Sequence, residues 1–317
     1  MGAAAEAAIG RPRRRPLVWR RVANGSVPYL LIAPVVLVLT AVLAYPIYYL
    51  VRISLEKFGL FELIQHHGIY IGLDNFRSVL HDQIFWHTLL RTVVFTAANV
   101  GLTMVIGTLI ALLLVRVSGW VRVLLTAGLV LVWSMPAVVA IQVWSWMTNY
   151  ENGVVNYILT QLHVGNFFQH NWYGSTFSQL SIVTTLIVWG ALPFVAITVY
   201  AALAQVPGEL VEAAEIDGAP PWRVFLDVTV PIIRPVLLIL TSLSIVWDFG
   251  VFVQPYLLIG QPHITPGNYL MGIYLFEKGY FDNDYGQGAA ISILMLLIVA
   301  TLSIFYVRKM VRIGDVE

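Results

Sequence analysis

The 317-residue chain contains no cysteine. That excludes a disulfide framework, a thiolate nucleophile and a cysteine-based metal site. Charge is also scarce. Asp, Glu, Lys and Arg together make up 11% of the residues, against about 25% in soluble domains. The formal net charge is +1, so the chain as a whole has no pull toward nucleic acid. There is no G-x-x-x-x-G-K-[ST] nucleotide loop, no G-x-G-x-x-G fingerprint and no H-E-x-x-H. Gly286 and Gly288 flank Gln287, but nothing completes a dinucleotide motif. His66 and His67 are adjacent and cannot share a helix face, so they read as solvated loop residues. His81 and His87 lie six residues apart, a weak arrangement for ligands. Lacking a nucleotide loop, the chain cannot hydrolyse ATP by itself, and no resident cofactor or metal is expected.

What is present is apolar. Hydrophobic residues make up 59% of the chain, and the mean hydropathy is +0.80. Such an excess requires a bilayer. Six runs approach the roughly 20 residues that cross one: residues 29–51, 89–115, 121–147, 180–203, 236–259 and 288–306. The sequence therefore predicts an all-α polytopic membrane protein with six spans. Pro34, Pro46, Pro136 and Pro193 are expected to kink their helices. Ala97, Gly101 and Gly107 allow close helix contact. Phe85, Trp86, Trp144 and Trp146 are placed as interfacial anchors.

Charge is sorted by loop. Residues 1–24 carry Arg11, Arg13, Arg14, Arg15, Arg20 and Arg21. The apolar run that follows is too long for a cleaved signal peptide. If the N terminus is cytoplasmic, the alternate loops on that side collect 13 of the 18 Lys and Arg. The positive-inside rule then puts both termini in the cytoplasm. It divides the chain into a basic cytoplasmic segment (1–27), a transmembrane domain (28–309) and a cytoplasmic tail (310–317).

The same count puts residues 206–235, VPGELVEAAEIDGAPPWRVFLDVTVPIIRP, on the cytoplasmic side. This is a charged island between two apolar runs, and it reads as two short helices. Pro207 and Gly208 end the preceding segment, and Glu209 places a carboxylate in the first turn of the next helix. Gly218 stands where a left-handed residue closes that helix. Pro220 and Pro221 open a second helix, expected to run to about Val228, with Arg223 and Asp227 spaced as an i,i+4 pair. Pro231 and Pro235 are expected to close the unit.

Glu212-Ala213-Ala214, Gly218 after three intervening residues, and Val228, Val230 and Pro231 beyond it resemble the E-A-A loop of ABC-importer permeases, the membrane subunits of binding-protein-dependent uptake systems. The family pattern ends in I-x-L-P; the two valines are conservative departures. Asp217, Ala219 and Trp222 are similar to the carbohydrate-uptake branch. Tyr70-Ile71-Gly72-Leu73-Asp74-Asn75-Phe76 resembles a stretch that follows the first span in maltose-type sugar permeases, and residues 45–55 resemble the first member of a permease pair. Where the family often has T-G-G-G-P, this chain has Ile259-Gly260-Gln261-Pro262.

The resemblance implies a prokaryotic inner-membrane subunit that imports a sugar, most simply a di- or oligosaccharide. It implies a second homologous permease, a dimer of ATP-binding subunits holding ATP and Mg, and an extracytoplasmic solute-binding protein, met by residues 147–179. Membrane lipid is the solvent, and no nucleic acid is involved. Glu209, Glu212, Ala213, Ala214, Asp217, Gly218 and Arg223 are the implied ATPase-coupling residues. An ABC permease for glycerol-phosphate or an amino sugar is an alternative, as is an ion-coupled secondary carrier.

For a substrate path the sequence offers Asp248 at membrane depth and Trp133, Trp189 and Trp247 deep in three spans, with Gln254 and Tyr256 extending the lining. A carboxylate at the bilayer centre costs roughly 2.5–3.5 kcal/mol and belongs in a bundle interior or a water-filled cavity. Aromatic faces suit the C–H faces of sugars. Helix packing is the competing reading for each tryptophan, and a structural contact is the competing reading for Asp248.

Overall fold

A computed structural model describes residues 18–260 and 262–314. Arg11, Arg13, Arg14 and Arg15 of the basic segment, Gln261 and the last three residues of the tail lie outside the described residues. The first helix, α1 (Val18–Ser54), runs through Pro34 and Pro46 without interruption. It includes residues 18–27 of the basic segment. Two units are described separately, one ending at Arg52 and the other running from Ile53 onward.

The second unit opens with a small cap. β1 (Glu56–Lys57) and β2 (Ile69–Tyr70) pair antiparallel, Glu56 opposite Tyr70 and Lys57 opposite Ile69, around the short α2 (Leu60–Gln65). This two-strand ladder is the one departure from the all-α expectation among the described residues. Its cause is visible in the sugar-permease-like stretch. Gly72 takes a φ of 64°, which a glycine adopts at no steric cost. The turn delivers buried Asn75, at the start of α3 (Asp74–His81), to the carbonyls of Ser54 and Glu56 at 2.9 and 2.8 Å.

Four long helices form the frame. These are α4 (Gln83–Arg116), α8 (Thr176–Leu203), α11 (Val230–Phe249) and α14 (Tyr285–Gly314). The most extensive contact is between α4 and α8; α11 packs on α4, α8 and α14. Asp82 caps α4 by accepting from the Ile84 amide at 2.8 Å, and it also accepts from the Tyr274 hydroxyl at 2.8 Å. At the other end Arg122 donates to the carbonyls of Leu114 and Val117 at 2.8 and 3.1 Å, closing the helix terminus with a cation. Gly107 is obligatory by packing, because a Cβ there would meet Val195 Cγ1 at 2.6 Å. α8 continues through Pro193 as one helix.

Among the described residues, five helices are long and apolar enough to cross a membrane. The pair α5 (Gly119–Ser134) and α6 (Ala137–Met147) makes a sixth if counted as one span. The two are bent by 99°. Met135 and Pro136 occupy the break in extended conformation, because a proline disfavours the helical region for the residue before it. Beyond α6, α7 (Val154–Gln161) forms a second small cap. Buried Asn156 holds it, donating to the His170 carbonyl at 3.1 Å and accepting from Trp172 Nε1 at 2.6 Å. Trp144 departs from the interfacial expectation: it packs against the main apolar core, with its ring 6.0 Å from that of Trp189. Trp146 is exposed.

The fifth expected span, 236–259, is cut differently from its apolar run. α11 ends at Phe249, residues 250–252 are irregular, and a separate α12 (Val253–Ile259) follows. In the opposite direction the helix extends further than expected. The second helix of the charged island does not stop near Val228. It runs from α10 (Pro221–Arg223) through a π-helical segment, Val224–Thr229, directly into α11, giving a 29-residue helix from Pro221 to Phe249. The wider π turn accommodates the missing amide hydrogen and the ring of Pro231 where an α-turn would clash, while Pro235 lies within α11 itself. α13 (Met271–Phe276) and a second π segment, Glu277–Phe281, lead into α14. The Met271 amide donates to Thr92 Oγ1 on α4 at 2.9 Å.

Candidate functional site: a broken-helix cavity and an exposed helix–Gly–helix unit

Both chain breaks open onto the same space. A cavity of about 460 Å³ is bounded by the α5–α6 break at Met135 and Ala137, by α8 at Trp189, Gly190 and Phe194, and by the α11–α12 break at Gly250 to Gln254. Its size falls in the range of about 300–1,000 Å³ seen for small-molecule sites. Irregular backbone at membrane depth is tolerated where it lines a cavity, since its free N–H and C=O groups then have partners in water or ligand.

Five of the six residues singled out for a substrate path meet here: Trp133 from α5, Trp189 from α8, Trp247 and Asp248 from the end of α11, and Gln254 from α12. Tyr256 is not in the lining. It points into an aromatic cluster, 4.9 Å from the Phe252 ring and 5.2 Å from that of Phe276. The reason is helical phase: Gln254 and Tyr256 are two residues apart on α12 and cannot share a face.

Phe194 is the lining residue that composition alone does not flag. Its ring lies between two tryptophans, 6.2 Å from Trp133 and 5.6 Å from Trp247. The signal for it is spacing, since Leu186, Gly190 and Phe194 recur every four residues on α8 and all face the cavity. Asp248 is 8% exposed, and its carboxylate accepts no hydrogen bond from any described residue. No Lys, Arg or His is among the lining residues.

The charged island is built as an exposed unit. α9 (Gly208–Ile216) ends in a complete Schellman turn. The Ala219 amide donates to the Ala214 carbonyl and the Gly218 amide to the Glu215 carbonyl, both at 3.0 Å, with Gly218 at φ 80°. α9 packs against the π segment. Glu209, Glu212, Ala213, Asp217, Gly218 and Arg223 are exposed, and Ala214 is half-buried. Large apolar side chains are exposed beside them, with Ile216 at 85% and Trp222 at 58%. The expected i,i+4 pair does not form. The Arg223 guanidinium lies over the Trp222 ring at 5.2 Å instead, because Asp227 sits on a π turn, where four-residue spacing no longer aligns side chains.

Residues 103–312 match the family described as the inner membrane component of binding-protein-dependent transport systems. The chain is 40% identical over 292 residues to the diacetylchitobiose uptake system permease protein of Streptomyces coelicolor, covering 92% of this chain and 88% of that protein. It is 32% identical over 289 residues to the trehalose/maltose transport system permease protein of Thermococcus litoralis, covering 88% and 92% respectively. Its fold is shared with a chain of a bacterial ABC transporter involved in import of the acidic polysaccharide alginate, at a TM-score of 0.75 and 19% identity, over 93% of this chain and 98% of that one. The relatives are transport permeases, which accords with a broken-helix cavity joined to an exposed E-A-A unit. The chain belongs to the family of multi-pass inner membrane components of binding-protein-dependent transport systems.

Proposed function

We propose that the chain is the permease that carries a di- or oligosaccharide into the cytoplasm, driven by ATP hydrolysis on separate subunits. The observation that carries this reading is mechanical. The helix from Pro221 to Phe249 has the exposed unit at one end and Trp247 and Asp248 of the cavity at the other. At about 1.5 Å per residue it spans roughly 43 Å. A push on the unit is therefore transmitted to the cavity wall without passing through a flexible loop.

In this reading a groove on one ATP-binding subunit receives Glu209 to Gly218. Ala213 and Ala214 permit close approach, Glu212 offers a charge partner, and Gly218 fixes the turn. ATP and Mg belong to that partner. Closure of the ATPase dimer tilts α11 and exchanges inward- and outward-facing states. Differential contact in the two states supplies the driving force. A second homologous permease completes the cavity, whose aromatic rings Trp133 and Trp247 are exposed on this chain. An extracytoplasmic solute-binding protein delivers the sugar to the α7 cap. The termini and the charged island are cytoplasmic, in keeping with the distribution of Lys and Arg. The uptake systems of the two curated relatives, for diacetylchitobiose and for trehalose/maltose, support a sugar substrate.

Mild-detergent purification followed by reconstitution tests the proposal. An ATPase and a second permease should co-purify, and the vesicles should take up an oligosaccharide only with ATP. Uptake in ATP-free vesicles under an ion gradient, by this chain alone, would overturn it in favour of a secondary carrier.

A further inference from the structure

Asp248 has a consequence for which sugar can pass. Asp248 is a buried residue whose carboxylate lines the cavity and receives no donor from any described residue. The neighbouring walls are aromatic, and no lining residue carries positive charge. A buried carboxylate with empty acceptor positions is costly unless something entering the cavity fills them. Sugar hydroxyls are suitable donors: each carries one O–H, and they stand in arrays around a ring whose C–H faces fit the flanking indoles.

We propose that Asp248 makes this cavity a charge filter, one that passes neutral oligosaccharides, whose hydroxyls complete its hydrogen bonds, and rejects acidic ones. The inference rests on the oligosaccharide reading above and narrows it to a substrate class. An acidic sugar brings a carboxylate or phosphate into a low-dielectric space to which this chain supplies no cation. Like charges there repel strongly. The filter on this chain is thus the combination of one anion and the absence of any cation among its own lining residues.

The test uses the complete transporter in detergent, without its solute-binding protein, so that selection upstream does not enter. The probes are a radiolabelled neutral oligosaccharide and the same molecule with its terminal primary alcohol oxidised to a uronate. The unmodified complex should bind the neutral sugar at least about tenfold more tightly than the uronate. Asp248→Asn keeps the shape and an acceptor while removing the charge; it should bring the two affinities to within about threefold. Asp248→Leu removes the acceptors and should weaken neutral-sugar binding by at least about tenfold. Unchanged discrimination in Asp248→Asn overturns the filter. So does full neutral-sugar binding by Asp248→Leu, or loss of the second permease from the purified Asp248→Asn complex, which would make the carboxylate an inter-subunit contact. ATP-driven uptake of the neutral sugar by the unmodified complex, reconstituted in vesicles with its solute-binding protein added back, is measured in parallel. If it is present while discrimination is unchanged, only the filter fails; if it is absent, the transport reading fails and the filter with it.

Discussion

The Asn268 side-chain amide donates to the Gln179 side-chain carbonyl at 2.7 Å, across 89 residues of sequence and fully out of solvent. The same amide group donates to the His263 carbonyl at 2.7 Å, and the Asn268 carbonyl oxygen accepts from the Thr265 amide at 2.8 Å. One side chain thus organises the loop before α13 and ties it to the start of α8. Arg91 on α4 secures the same loop, donating to the Tyr269 carbonyl at 2.8 Å.

Replacing Asn268 with Ala removes these bonds and leaves buried groups without partners. A buried polar group that loses its partner costs about 1–3 kcal/mol. Asn268→Ala should therefore lower the thermal midpoint of the purified protein. Hydrogen exchange should accelerate in residues 263–270 while α4 and the core of α8 stay protected. An unchanged midpoint would mean that the loop is held by other contacts.

Gly218 has open space around its Cα, so size is not what excludes other residues there. Its φ of 80° is. An L-residue in that region costs about 1–2 kcal/mol, and proline cannot reach it and also lacks the amide that bonds the Glu215 carbonyl. Gly218→Ala should reduce sugar uptake moderately. Gly218→Pro, and Glu212→Lys by charge reversal, should abolish coupling: ATPase activity persists while uptake falls by at least about tenfold. Membrane insertion should be unaffected in all three. Normal uptake in both severe variants would refute docking through this unit.

The aromatic row of Trp133, Phe194 and Trp247 separates a ligand role from a packing role. Trp133 and Trp247 are 61% and 55% exposed, so truncating either removes little buried contact. Trp247→Ala should leave the thermal midpoint nearly unchanged and raise KM for sugar uptake by about tenfold. Trp144→Ala, by contrast, removes a ring that packs on the core beside Trp189, and should lower the midpoint. Equal effects of both substitutions on stability would assign the row to packing.

Glu277, in the π segment before α14, has its carboxyl pushed above the ordinary carboxylate range, chiefly by burial and secondarily by the charge of Asp282. Folding therefore favours its protonated form. The stability this contributes is fully present below the ordinary carboxylate range and is lost as pH rises through the folded-state value. Thermal midpoints compared at about pH 4 and about pH 8 should fall less with rising pH in Glu277→Gln than in the unmodified protein. An identical pH slope in the two would remove Glu277 as the cause.

Much of this was legible from the residues alone. Apolar runs of about 20 residues can be stable only in a bilayer, so composition settled the class. The spacing of Glu212, Ala213, Ala214 and Gly218 identified the family, and a glycine after a run of helix formers marks a left-handed turn whatever surrounds it. The indoles Trp133, Trp189 and Trp247 and the acid Asp248 stood out because such residues are expensive or unusual at membrane depth. Tertiary structure decided what periodicity cannot encode. The span that looked continuous from 236 to 259 breaks at Gly250, and the charged island that looked separate from it is the start of the same helix. Whether a helix runs through a proline was likewise decided by packing: a π segment precedes Pro231, whereas Pro193 is carried within the regular helix α8. Phe194 and Phe252 line the cavity, and Tyr256 does not, because side-chain direction follows from where each helix starts. The sequence determined that this is a membrane permease and which stretch forms its charged helix–Gly–helix unit. Only the packing of α5, α6, α8, α11 and α12 decided that three tryptophans and one carboxylate, without a donor among the described residues, share a single space.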